Sequence, residues 1–134
     1  METIRTIYSA DLRTEATHLQ SGKKIITDAP TDNMGKGEAF SPTDLMAASL
    51  GSCMITIMGI NAMKNNFSIE GISVKITKIM AQNPRRVAEI VLEFDMPKNN
   101  FTDEQKRMLE VAALNCPVAK SVHADLKQTV KFNY

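Results

Sequence analysis

Cysteine is scarce in this chain, two among 134 residues. So few thiols cannot form the disulfide framework of a small secreted domain, and any pairing between them is expected to be catalytic or redox-sensing. Charge of one sign is also missing: sixteen basic side chains face fifteen acidic ones, leaving a formal charge of +1. No Lys/Arg run is long enough to neutralise several phosphates in a row, which argues against nucleic acid as a partner. No long hydrophobic run is present either. The most apolar segment, Leu45 to Ile60, falls about four residues short of the roughly 20 that cross a bilayer, and it carries Ser49, Ser52 and Thr56.

The start of the chain, METIRTIYSADLR, has acid and base early and no apolar stretch ending in small residues. It does not read as a secretory signal, so a cytoplasmic location and no membrane partner are expected. There is no internal repeat, low-complexity tract or interdomain linker. Gly35-Lys36-Gly37 lacks the strand-loop-helix frame and the Lys-Ser/Thr pair of a nucleotide cradle, so no cofactor is expected. With 43% hydrophobic and 23% charged residues, the chain has the balance of a folded protein, and its length suits one domain over residues 1–134.

Thr3–Ser9 and Leu12–Leu19 are rich in β-branched and polar residues, and Ser21-Gly22 turns into a third strand from Lys24. This predicts an amino-terminal antiparallel meander. Ala29–Ala39, with Pro30, Asn33, Gly35 and Gly37, predicts a loop long enough to be mobile or functional. Ser41-Pro42-Thr43-Asp44 announces a helix: Ser41 caps, Pro42 suits the first helical position and Asp44 completes a capping box. From Leu45 to Lys64 apolar and small residues fill nearly every face, the pattern of a spine enclosed by sheet or by a partner subunit.

Alternation over Ile72–Thr77 and Ala88–Phe94, about a Gln82-Asn83-Pro84 turn, predicts a hairpin. Thr102 with Gln105 caps a second helix, whose apolar stripe runs from Met108 to Leu114. Pro117 pushes Cys116 out of the helical region, so a short helix begins afresh there. Leu126, Gln128, Val130, Phe132 and Tyr134 share one face of a closing strand. The fold class is α+β.

Taken alone, Cys53, among small residues in mid-spine, reads as an inert buried thiol. Cys116 is the better-activated sulfur on local chemistry, because the N–H groups and dipole of the helix it caps lower a thiol pKa. Metal binding would need His18 or His123 as a further ligand, and none of the short Cys/His spacings of zinc sites is present. A Cys-His hydrolase would pair Cys116 with His123, but His123 reads as the end of the short helix. Of the nine methionines, Met46, Met54, Met58 and Met63 lie on the spine, where core filling is the favoured reading over an adaptable pocket.

The stretch from Ser41 to Cys53, SPTDLMAASLGSC, resembles the central-helix signature of the OsmC/Ohr family, and Asn115-Cys116-Pro117-Val118 resembles its second-cysteine signature. The resemblance implies antiparallel sheets wrapped around a long buried central helix, in an intertwined homodimer with two active sites at the subunit interface. It implies a thiol peroxidase: Cys53 attacks a small or organic hydroperoxide, the resulting sulfenic acid condenses with Cys116, and a dithiol reductant resets the disulfide. This reverses the ranking drawn from local chemistry. Peroxidase branches of the family add an arginine and a glutamate. Arg13 fits the arginine's place, with an ordinary exposed strand arginine as the alternative. The glutamate's position, ten residues before Cys53, is Thr43. Asp44 points away from Cys53 and reads as a cap, which leaves Glu38 in the loop as the candidate replacement, or else a solvated loop carboxylate. The competing functional reading is a non-enzymatic or redox-sensing dimer that binds an apolar ligand between its subunits.

Overall fold

The computed structural model describes all residues, 1–134, and the chain forms two compact units, Met1–Met46 and Ala47–Tyr134. In the first, β1 (Ile4–Ala10), β2 (Arg13–His18) and β3 (Lys24–Asp28) form an antiparallel meander in that order. The turn from β2 to β3 is held by Gly22 N–H on the carbonyl of His18, with Gly22 at φ +73°, a conformation that suits glycine. β1 is exposed along its whole length, and Ile4, Ile7, Tyr8 and Ile25 stand open to solvent.

The loop after β3 is not slack. Thr31–Asn33 forms a single 3₁₀ turn, Asn33 and Gly35 donate to the carbonyl of Pro30, and Asp28 N–H reaches across to the carbonyl of Phe40. The helix α1 (Pro42–Lys64) starts as its sequence directs. Asp44 N–H donates to Ser41 Oγ at 3.1 Å, and Ser41 N–H to Asp44 Oδ2 at 3.0 Å, which is the reciprocal capping box.

In the second unit, β4 (Ser73–Ala81) and β5 (Arg86–Asp95) make the expected hairpin, and β6 (Lys127–Asn133) joins the other edge of β5. The closing strand is parallel to β5, the one departure from antiparallel pairing. The chain makes this crossover through α2 (Asp103–Leu114) and α3 (Pro117–Ser121), because a parallel return needs a long connection. Thr102 and Gln105 cap α2 reciprocally, as expected.

α1 seats on this sheet at Gly51, where an added Cβ would lie 2.5 Å from Ile76 Cδ1 and 3.5 Å from Leu92 Cδ2. The core of the unit collects Leu50, Met54, Met58, Ile90, Leu92, Phe94 and Leu109, all without solvent exposure. Phe132 stacks on Phe94 at 5.1 Å between ring centroids.

Two features of α1 are specific to the single chain. The helix runs 23 residues, long and apolar enough to meet the length and composition test for a membrane span, a test that the core helix of a soluble protein also passes. Its enclosure is one-sided: Ala47, Leu50, Gly51, Met54, Met58 and Ala62 form a single buried stripe at helical spacing. Ser49, Ser52, Thr56, Ile60 and Met63 stay exposed. Met54 and Met58 are therefore core fillers, as the sequence favours, whereas Met63 is 79% exposed.

Candidate functional site

The two sulfurs belong to the second unit and are brought together by different elements. Cys53 sits in mid-α1, half-buried, one turn from exposed Ser49 and Thr56. Cys116 is fully buried at the start of α3. Pro117 sets it in extended backbone as the helix cap, and its Sγ accepts Ala119 N–H at 3.4 Å. α3 is tied to β6 by Gln128 Nε2, which donates to the Ala119 carbonyl at 3.0 Å. Cys53 is an electrostatic neighbour of the Cys116 thiol, and neither cysteine is in a disulfide.

The local expectation for Cys116 is overturned. Its thiol is pushed up from the ordinary value, first by burial and further by the neighbouring Cys53, while the Ala119 and Val118 N–H groups oppose this. A five-residue helix end does not offset the loss of water around the sulfur. Cys116 is thus a protected, neutral thiol beside a partly accessible one. His123 does not serve either sulfur. It lies past α3, largely exposed, and its Nδ1 accepts Asp125 N–H at 3.0 Å. His18 similarly closes onto Ser21 at the β2–β3 turn.

In the first unit Arg13 is not an ordinary exposed strand arginine. Its Nε and Nη2 donate to Oδ1 and Oδ2 of Asp28 at 2.7 and 2.8 Å, a two-pronged charge-assisted contact. The Asp28 side chain is 1% exposed and Arg13 30%. The hydrogen bond from Arg13 holds the Asp28 carboxyl below the usual carboxylate range against the opposing effect of burial, with the Arg13 charge and the Glu38 N–H helping. The Arg13 value is raised, chiefly by the same bond.

Glu38 approaches the arginine more weakly, with Oε1 3.9 Å from Nη2 and its side chain 65% exposed; its backbone N–H donates to Asp28 Oδ2 at 3.1 Å. Thr43 keeps its hydroxyl within the helix cap, 3.2 Å from Ser41 Oγ. The structure thus brings Arg13 and Glu38 together around an acid that the sequence reading missed. The β2–β3 register centres the turn on Gln20-Ser21 and so puts residue 13 opposite residue 28, whereas a turn centred on Ser21-Gly22, as the sequence suggests, puts it opposite residue 30.

The family model for OsmC-like proteins matches residues 35–131. No curated protein matches the chain. A solved structure from Psychrobacter arcticus 273-4, of a protein named for an osmotic stress induced and detoxification response, is 50% identical with a TM-score of 0.95, covering 99% of this chain and 96% of that one. An OsmC like protein from Mycoplasma pneumoniae superposes at a TM-score of 0.80 with 20% identity, over 97% and 94% of the two chains. An organic hydroperoxide resistance protein OsmC from Legionella pneumophila superposes at 0.76 with 15% identity, over 100% and 98%. The last two are similar in fold. The match over most of the chain and the first of these structures establish that the chain belongs to the OsmC/Ohr family.

Proposed function

We propose that this protein is a cysteine-based thiol peroxidase acting on small or organic hydroperoxides in the cytoplasm, in a role against oxidative stress. The observation that carries the reading is the pair of neighbouring thiols, Cys53 partly accessible and Cys116 buried beside it. The Cys53 thiolate attacks the terminal oxygen of ROOH; the O–O bond breaks, Cys53 becomes a sulfenic acid and the departing alkoxide takes up a proton as ROH. The Cys116 thiol then displaces the sulfenic hydroxyl as water, forming the disulfide. A dithiol reductant returns both thiols and is itself oxidised to a disulfide. Arg13 assists the first step, as the family resemblance implies, and Glu38 stands in reserve as a further acid.

The working form is a homodimer. Support comes from the apolar groups a single chain leaves open: Ile4, Ile7, Tyr8 and Ile25 in the first unit, Ile60 and Met63 on α1. A three-stranded meander that leaves so much apolar surface open has little stability of its own. Light scattering at micromolar protein is expected to return the mass of two chains.

The test is hydroperoxide consumption with a dithiol reductant. Cys53→Ser is expected to abolish turnover. Without reductant, Cys116→Ser is expected to consume one equivalent and stop with Cys53 as a trappable sulfenic acid. Equal rates in wild type and Cys53→Ser would sink the proposal. One observation favours a second reading, a redox-sensing or non-enzymatic dimer that holds an apolar ligand. A groove of about 620 Å³ runs along Ile55, Thr56, Gly59, Ile60 and Met63, facing Phe67 to Ile72. Binding of an apolar dye that survives Cys53→Ser, in a protein without peroxide turnover, would decide for it.

A further inference from the structure

Arg13 presents five N–H donors, of which the contact with Asp28 occupies two, one at Nε and one at Nη2. Three remain, the Nη1 pair and the second hydrogen of Nη2. Where they point is set by the plane of the guanidinium, and that plane is set by Asp28. The carboxylate doing so is itself immobile. It is buried, Oδ2 also accepts Glu38 N–H at 3.1 Å, and Asp28 N–H bonds the Phe40 carbonyl at 3.1 Å. The far end of the loop between β3 and α1 closes on this one residue through Glu38 and Phe40.

The other acids near Arg13, Glu38 and Asp11, act on it through charge alone. Glu38 meets Arg13 at 3.9 Å from an exposed side chain, beyond hydrogen-bonding distance. Thr43, at the position where peroxidase branches of the family carry an acid, has its hydroxyl turned to Ser41. Asp44 is engaged in the helix cap.

We infer that Asp28 is the positioning residue for Arg13, fixing the direction of its three free donors from the neighbouring strand in place of the acid that position 43 lacks. This rests on the reading above in which Arg13 assists the peroxide reaction. Asp28 touches no reacting atom. Its effect reaches the chemistry only through the guanidinium, because a long side chain without its fork turns freely and its donors lose their aim.

Two measurements keep this inference separable from the peroxidase reading. The first is labelling of arginines by phenylglyoxal, followed peptide by peptide, with Arg5, Arg85, Arg86 and Arg107 as internal references. Arg13 is expected to react about tenfold faster in Asp28→Asn than in wild type, since charge-assisted bonds of this kind restrain strongly, while the references keep their rates. A merely structural role for Asp28 would accelerate all five. A measurement that does not depend on the folding of Asp28→Asn is proton-exchange NMR of the Arg13 Nε–H in the wild-type protein; slow exchange relative to Arg86 and Arg107 is expected.

The second measurement is hydroperoxide turnover. Asp28→Asn is expected to lower kcat/KM about as far as Arg13→Met, and the double variant no further. Additive losses, equal labelling of Arg13 with and without the carboxylate, or an unprotected Nε–H would each overturn the inference. Arg13 protection that depends on Asp28, in a wild-type protein that turns over no hydroperoxide, would refute the peroxidase reading and leave the hold of Asp28 on Arg13 standing.

Discussion

Gly51 puts the seating of α1 to a quantitative test. Glycine inside a helix costs about 1 kcal/mol relative to alanine, so Gly51→Ala would stabilise an open helix by that amount. Here the new methyl would stand 2.5 Å from Ile76 Cδ1 and 3.4 Å from Ile76 Cγ1. Overpacking of this kind costs about 1–3 kcal/mol. The close atom is the tip of a side chain that is 36% exposed and can swing outward, which places the cost near the middle of that range. The two effects leave a net destabilisation of about 1 kcal/mol. Ile76→Val removes Cδ1 and with it the contact at 2.5 Å, at a cost of its own of about 1 kcal/mol or less. In that background Gly51→Ala should stabilise by about 1 kcal/mol, a coupling of roughly 2 kcal/mol across the cycle. Urea unfolding of the four proteins at one protein concentration measures it. Equal stabilisation by alanine in both backgrounds would mean that the helix does not rest on β4 at this residue.

Two further outcomes follow from the site. Asp28→Asn should lower the thermal midpoint at pH 7, and the gap to wild type should close as the pH falls. Hydrogen bonding to Arg13 depresses the folded-state value of Asp28, so its contribution is present above the unfolded value of about 4 and lost below it; a gap unchanged at pH 3 would refute this. Cys116 has the opposite sign. Burial raises its folded-state value, so its contribution is complete below the unfolded value of about 8.5 and fades as the pH rises through the folded one. The urea midpoint of wild type should therefore fall towards that of Cys116→Ala between pH 8 and 10, and parallel curves would count against it.

Local chemistry made most elements legible. Ser41 with Asp44 and Thr102 with Gln105 announce both long helices, because a capping box is satisfied within four residues and needs no tertiary partner. Alternation about Asn83-Pro84 gives the hairpin for the same reason. The parallel direction of β6 was not legible, since Leu126 to Tyr134 carry one apolar face whichever way the strand runs. The one-sided burial of α1 escaped notice because its sequence is apolar all round, and only the approach of β4 and β5 at Gly51 picks out the stripe that a single chain covers. Asp28 escaped because reading it needed the register of β2 on β3 as well as the strands themselves. What the family resemblance carried, and local chemistry could not, was the partnership of Cys53 with Cys116, residues on separate elements with a hairpin and a helix between them.

The burial of Cys116 gives the most direct test of how the two thiols divide their work. A helix end stabilises a thiolate only where water or another charge can share the load; at full burial the lost hydration outweighs two backbone N–H groups. In the proposed cycle a thiol so placed would not compete for oxidant and would stay reduced until a sulfenic acid formed on Cys53. The element that holds it, α3, is a five-residue helix tied by the Cys116 cap and by Gln128. With an opening free energy of a few kcal/mol, alkylation of Cys116 in the native protein should be roughly a hundredfold slower than that of Cys53. In urea the two should react alike. Pulse labelling with iodoacetamide at pH 8, read by peptide mass, gives both rates from one sample. Gln128→Ala, which frees the Ala119 carbonyl without touching either sulfur, should raise the native rate at Cys116 alone. If Cys116 is labelled as fast as Cys53 in the folded protein, burial does not protect it, and the assignment of attacking and resolving roles loses its physical basis.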